Sequence, residues 1–188
     1  MKELSLNILD IAQNSVKAGA SVIKIDLAET EETLEIIVTD NGCGMTEEQV
    51  ASVMDPFFTT RTTRNVGLGV PLLKMEAEQT GGGISVESSV SEENHGTVIK
   101  ALFYRNHIDF IPLGDIVSTI TALIQGAPDI DWIFTHTKGE SAVELDTAEI
   151  RAVLGGDVRL DEYEVIKWIE EYLKEGYDSF TYMQINKN

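Results

Sequence analysis

Residues 10–45 read DIAQNSVKAGASVIKIDLAETEETLEIIVTDNGCGM, and the changes of rhythm within them decide the fold. Up to Lys17 the apolar residues Leu4, Ile8, Ile11 and Ala12 recur at helical spacing, with Asn7, Asp10 and Asn14 on a neighbouring face. That pattern predicts an amphipathic helix. Ala18, Gly19 and Ala20 end it, glycine being the usual residue beyond a helix C-terminus. From Ser21 to Leu27 the period falls to two, with Ile23, Ile25 and Leu27 alternating against Lys24 and Asp26. After the acidic turn Glu29 to Glu32, Leu34, Ile36 and Val38 alternate again toward Asp40. The two runs predict an antiparallel hairpin.

Working outward, Thr46-Glu47-Glu48-Gln49 has the capping-box form and starts a short helix toward Met54. Pro56 to Asn65 has neither period and reads as a loop bounded by Gly67. A helix from about Gly69 to Gln79 stops at Gly81, Gly82 and Gly83, and Ile84 to Ser88 and Thr97 to Tyr104 are strands separated by a polar turn. Helices and strands in runs, joined by hairpins, indicate an α/β (α+β) two-layer sandwich with a mixed, mostly antiparallel sheet covered on one face by helices. Beyond Asn106, Leu113 to Gln125 predicts a helix, Ile130 to Phe134 a strand, and Ala142 to Leu145 a partner for it. Asp146 with Glu149 caps a short helix ending at Gly155 and Gly156. Asp161 to Lys174 makes a longer one, with Val165, Trp168, Ile169 and Tyr172 as its apolar stripe, expected to pack on the sandwich or to form a dimer or partner surface. The expected division is 1–105 and a mainly helical α/β extension, 106–188, packed on the first.

The chain has 188 residues with 14 Lys+Arg against 32 Asp+Glu, a formal charge of -18. Nucleic-acid binding leans on cations neutralising phosphates, so no nucleic-acid partner is expected. With 43% hydrophobic residues the chain can bury a core. The lone Cys43 permits no internal disulfide, and neither a leader nor an 18-residue apolar run is found, so no membrane partner is expected and the expected address is the cytoplasm.

Four segments carry chemistry. Asp10 and Asn14 stand one helical turn apart on one face. An Asn oxygen suits Mg2+, and a carboxylate can orient or deprotonate a nucleophile; the same pair also suits a solvated helix face. In Asp40-Asn41-Gly42-Cys43-Gly44-Met45 the glycines permit close approach of a ligand and Asp40 can accept from an exocyclic amine, although an ordinary Asp-Asn-Gly turn reads the same way. From Pro56 to Met75 there are three basic residues, Arg61, Arg64 and Lys74, and no acidic one, and Gly67 and Gly69 lead into a helix whose N-terminus favours an anion. Last, Gly81-Gly82-Gly83 and Gly96-Thr97 punctuate a hairpin, with the Thr97 hydroxyl within reach of a base.

Taken in order, these segments resemble the GHKL superfamily of DNA gyrase-type ATPases, Hsp90-type chaperones, histidine-kinase catalytic domains and MutL proteins, over about residues 4 to 105. Asp10 to Ala20 is similar to the N box, nearest the MutL form. Asp40 to Met45 is similar to the G1 box, Pro56-Phe57-Phe58-Thr59-Thr60-Arg61 to the F box of histidine kinases, Gly67-Leu68-Gly69 to the G2 box, and Gly96-Thr97 to the last nucleotide motif. The resemblance implies a Bergerat-type fold binding ATP and Mg2+. Asn14 would hold Mg2+, and Asp40 would bind the adenine amino group, assisted by Thr97, with Gly42 and Gly44 admitting the base. Met54 to Val66 would be the lid, and Gly67, Leu68 and Gly69 would offer backbone amides. Lys17, Arg61 and Arg64 are phosphate contacts by charge and position.

The family's usual general base, a Glu, is replaced by Asp10, one methylene shorter. The first glycine of the G2 pattern is Asn65, and Pro71 falls in the first turn of the following helix, both tolerable there. Only nine residues precede Asp10, so the phospho-acceptor hairpin of sensor kinases is not expected, and His95, His107 and His136 read as surface or packing histidines. The gyrase and MutL readings fit less well, since those proteins add a domain supplying a catalytic Lys. The expectation is a stand-alone, histidine-kinase-like protein that acts as a kinase or ATPase on a separate partner protein, with a homodimer also open. The alternative is an ATP-dependent binding module with little turnover.

Overall fold

The computed structural model describes residues 3–54, 69–155 and 158–185. Helix α1 (Leu4–Lys17) buries Leu4, Ile8, Ile11 and Ala12, the stripe its sequence predicts. Glu3 gives its N-terminus no side-chain cap. The first N–H groups bond instead to Pro112 O (3.0 Å, from Leu4) and Leu113 O (2.8 Å, from Ser5), so a segment more than 100 residues away satisfies donors that a helix start leaves free. Gly19, at φ 74°, turns the chain out of α1 into β1 (Val22–Glu29).

Strands β1 and β2 (Thr33–Asp40) form the predicted hairpin. Thr46 and Gln49 complete the capping box of α2 (Glu47–Val53). Beyond the next described residues come α3 (Gly69–Gln79), β3 (Gly83–Ser89) and β4 (Gly96–Tyr104). The remainder supplies α4 (Ile116–Gly126), β5 (Asp131–Lys138), β6 (Ser141–Asp146), α5 (Thr147–Leu154) and α6 (Tyr163–Ile185). Helix α4 starts three residues after Leu113 because Asp115 caps it, accepting from Ser118 N at 2.9 Å. Helix α6 runs on past Lys174 to Ile185. Among the described residues no helix is long and apolar enough to cross a membrane.

Among the described residues six strands lie in the order β3-β4-β2-β1-β5-β6, and β1/β5 is the one parallel pair, in register from Val22↔Asp131 to Glu29↔Lys138. The sheet therefore runs without a break from the first 105 residues into the rest. One face carries Ile23, Ile25, Leu27, Ile36, Phe103 and Phe134, each at most 1% exposed, under α1, α3, α4 and α6. Burying a side chain of this size stabilises by about 1.5–3 kcal/mol, so the shared core ties both halves together. The expected stripe of α6 is corrected in part. Val165 and Ile169 are buried, but Trp168 and Tyr172 are 51% and 44% exposed and stack on each other, because the turns that carry Val165, Ile169 and Leu173 already face the sheet.

A buried polar seam reinforces the β1/β5 junction. The Glu29 carboxylate, at the end of β1, lies 2.6 Å from Lys138 Nζ, 2.9 Å from Arg105 and 3.3 Å from His136 Nε2. Tyr177 of α6 is 2.8 Å from His136 Nδ1, and Nε2 faces the Glu29 carboxylate at 3.3 Å without an aligned hydrogen bond. Burial raises the Glu29 pKa, but His136, Lys138 and Arg105 outweigh it and hold the pKa at about 2. Burial, then the Glu29 charge, pushes the Tyr177 hydroxyl well above its ordinary value.

Candidate functional site

At the end of β2, Asp40 is fixed from two sides. Its Oδ2 accepts from Ser15 Oγ of α1 at 2.5 Å and its Oδ1 from Gly42 N at 2.9 Å. A carboxylate has about four acceptor positions, so two remain for an incoming donor. The loop that follows has further clamps besides Asp40. Asn41 Oδ1 accepts from Ser21 N and Val22 N, both at 2.9 Å, and Cys43 N donates to Ala18 O at 3.0 Å.

Glycine is required here by space. A Cβ at Gly42 would come within 2.9 Å of Ala18 Cβ and 3.1 Å of Asp40 Oδ1. At Gly44, where φ is +69°, a Cβ would overlap the Ser89 carbonyl. The chain thus passes close behind Asp40 and leaves its free lone pairs unobstructed by a side chain of its own loop.

Strand pairing sets Thr97 opposite Asp40 on β4 and opposite Ser88 on β3. Ser88 Oγ donates to Gly96 O (2.9 Å) and accepts from Met45 N (2.8 Å), so the Thr97 hydroxyl, 2.8 Å away, is the donor to Ser88. Thr97 is left as an acceptor. Asp40 and Thr97, opposite each other on neighbouring strands, thus each keep acceptor capacity. His95 Nδ1 stands 2.8 Å from Gly42 O and braces the same loop.

The second cluster lies where α1 meets the start of α3. Asp10 Oδ2 accepts from Gly69 N at 2.8 Å, and a Cβ at Gly69 would overlap that carboxylate. A negative charge is favourable at a helix N-terminus, so Asp10 anchors α3. One turn along, Asn14 is half-buried with no side-chain hydrogen bond among the described residues. Asn7, a turn the other way, donates through Nδ2 to Glu76 of α3, both side chains being buried. Asn7 and Asp10 thus tie α1 to α3 at two points. Lys17 is exposed in the last turn of α1.

The structure therefore brings Asp40, Gly42, Gly44 and Thr97 together, and separately Asp10 with Gly69. Arg61, Arg64, Gly67, Leu68 and all of the expected lid but Met54 lie outside the described residues. Sequence reasoning missed Ser15, Ser88, His95, Asn41 and the Asn7–Glu76 pair. Ser15 had a signal, since it follows Asn14 in the same motif; Ser88 had none, because its role arises from pairing with Thr97 across a hairpin.

Among the described residues no group of three or more His, Cys, Asp or Glu converges as a metal cage. Mg2+ does not ask for one, because it keeps several waters and takes one or two protein oxygens beside phosphates. A half-buried Asn14 carboxamide free of other hydrogen bonds fits that demand.

A family model described as histidine kinase-, DNA gyrase B-, and HSP90-like ATPase matches residues 2–106. Sporulation kinase E of Bacillus subtilis (strain 168) is 34% identical over 98 residues, which is 52% of this chain and 13% of that protein. Sporulation kinase B of the same organism is 28% identical over 98 residues, 52% of this chain and 19% of that protein. The chain thus spans under a fifth of the length of these relatives. Among solved structures, the N-terminal domain of a DNA repair protein superposes with a TM-score of 0.54 at 15% identity. It covers 83% of this chain and 58% of that one, a likeness of fold that residues 2–106 alone cannot supply.

Proposed function

From the premise that the chain belongs to the histidine kinase-, DNA gyrase B- and HSP90-like ATPase family, we propose that it uses bound Mg-ATP to act, as a kinase or ATPase, on a separate protein. Residues 2–106 are a histidine-kinase-like ATP-binding domain. The observation that carries the reading of individual residues is the pair Asp40 and Thr97, locked by Ser15 and Ser88 with acceptors left over for an adenine amino group. The flat base enters where Gly42 and Gly44 carry no side chain.

At the phosphate end Asn14 would hold Mg2+, which when bound neutralises developing charge on the phosphates. Phosphoryl transfer is mostly positioning and electrostatics. Lys17, Arg61 and Arg64 add cations, and the backbone amides of Gly67, Leu68 and Gly69 add donors. Asp10 keeps Oδ1 to orient or take the proton of a nucleophile while Gly69 N holds Oδ2 in place.

That same bond supports a second reading. A carboxylate engaged in anchoring α3 links nucleotide binding to the position of the segment before it, as a switch with little turnover requires. Two measurements decide. Mg-ATP or Mg-ADP at about 100 times its Kd should stabilise the wild type by roughly 2.7 kcal/mol, and Asp40→Ala should abolish the shift. No shift in the wild type, or an equal one in the variant, defeats the nucleotide assignment. With labelled ATP, transfer or phosphate release that Asp10→Asn loses while retaining affinity supports the enzyme. Neither product in the wild type, with nucleotide-dependent protection of Arg61 and Arg64 from trypsin, supports the switch.

A further inference from the structure

At the far end of the sheet from the nucleotide site, β5, β6, α5 and α6 enclose an open trough of about 950 Å3. Strand β6 is the last in the sheet. Apolar side chains line the trough, among them Ile133, Leu145, Ile150, Val165, Trp168 and Tyr172. Four acids line it too: Glu144, Asp146, Glu149 and Glu164. Asp146 caps α5 through Ala148 N (2.8 Å) and Glu149 N (3.4 Å), and the other three make no ion pair among the described residues. Among the described residues no Lys or Arg lines the trough, and the described cations of its helices have partners elsewhere. Arg151 bonds Asp131, Lys174 bonds Glu170, and Lys167 lies 4.0 Å from Glu171.

We propose that this trough docks a basic segment of a partner protein, held by large apolar side chains in the trough and by Lys or Arg against its acids. Charge decides between occupants. A second copy of this chain would bring another -18, and nucleic acid or an anionic lipid surface would meet the same repulsion. A small ligand normally has most of its surface enclosed. Here the walls stay open, with Val153 87% exposed and Trp168 51%. The rings of Trp168 and Tyr172, stacked at 5.5 Å and 19°, present a flat aromatic plate beside the carboxylates, and such faces attract guanidinium and ammonium groups. Exposed aromatics inside a surface apolar patch are also what interfaces are built from. The proposal is independent of the nucleotide site.

A random 12-residue peptide library displayed on phage, selected against the full chain, tests it. Enriched peptides should carry two or more large apolar residues among Lys and Arg. The synthetic peptide of highest enrichment should bind more weakly as salt rises, and at least tenfold more weakly to Glu144→Gln/Glu149→Gln/Glu164→Gln and to Trp168→Ala. The triple Gln variant keeps side-chain size, so an unchanged circular dichroism spectrum and melting temperature would separate lost binding from lost fold. The proposal is overturned by enrichment of neutral or acidic peptides, by no enrichment, by equal binding to both variants, or by sedimentation showing a dimer that Trp168→Ala dissolves.

Discussion

The Asp40 end of the sheet and the β6 end share strands, core and covering helices, yet they use polar residues in opposite ways. Around Asp40 the described polar groups hold one another in place: Ser15, Gly42, Ser88, Thr97 and Asn41 all have named partners, Asp40 and Thr97 keep spare acceptor positions, and glycines bring backbone close to backbone. Around the trough three carboxylates make no ion pair among the described residues and lie beside exposed aromatics. A site for a small, rigid ligand must be built in advance, because the protein supplies nearly every surface of it. A surface for another protein can stay incomplete, since the partner supplies the missing charge. The first arrangement leaves motifs in the chain, and the second does not.

The comparison would break if the two ends were not one cooperative body. Phe103 on β4 and Phe134 on β5 are both fully buried, and truncating such a ring typically costs about 3–5 kcal/mol. Phe103→Ala and Phe134→Ala should each lower one single calorimetric transition by amounts of this size. Two transitions, with each variant moving only one, would show that the halves unfold separately despite the β1/β5 pairing.

A smaller effect sharpens the role of the seam between the ends. Glu29 has a folded pKa of about 2, below its ordinary 4.5, so its contribution is complete above about pH 5 and disappears as pH falls toward 2. The shift corresponds to at most about 3 kcal/mol. Urea titrations should find wild type more stable than Glu29→Gln at pH 7 by up to this amount, the gap closing on acidification. A gap independent of pH would mean that Glu29 acts by shape rather than charge.

The smallest effect compares two helix caps, each worth about 1 kcal/mol. Asp146→Ala should lower global stability by that much, because α5 follows directly on the paired strand β6. Thr46→Ala removes the capping box of α2, which buries none of its residues. It should speed amide exchange in Val50 to Val53 with little change in global melting.

The first 105 residues were legible because their signals are local. Helical spacing in α1, alternation in β1 and β2 and the Thr46–Gln49 box each act within a few residues, whereas the glycines at 42 and 44 are visible as residue types although what requires them, Ala18 and the Ser89 carbonyl, is distant in the chain. The α4 start was misjudged because a cap by Asp115 competes with continued apolar periodicity from Leu113. For Trp168 and Tyr172 the sequence leaves packing and a partner surface both open, because a stripe predicts which face is apolar, not how much of it the neighbours cover. The Asn7–Glu76 pair, Ser88 beneath Thr97, and Glu29 with His136 join residues on different elements, and no period in the chain records such meetings.

By itself the sequence determined the element types and the alternating core face. Backbone sterics, hydrogen-bond geometry and side-chain burial act over one to four residues, so these are written locally. The tertiary structure alone decided that β5 lies parallel to β1, that the start of α1 is capped by residues 112–113, that Asp10 holds Gly69, and that four acids converge on one apolar trough. The first three join residues 59 to 109 positions apart in the chain, and the fourth gathers residues of three elements, so each follows from which surfaces bury each other once the whole packs.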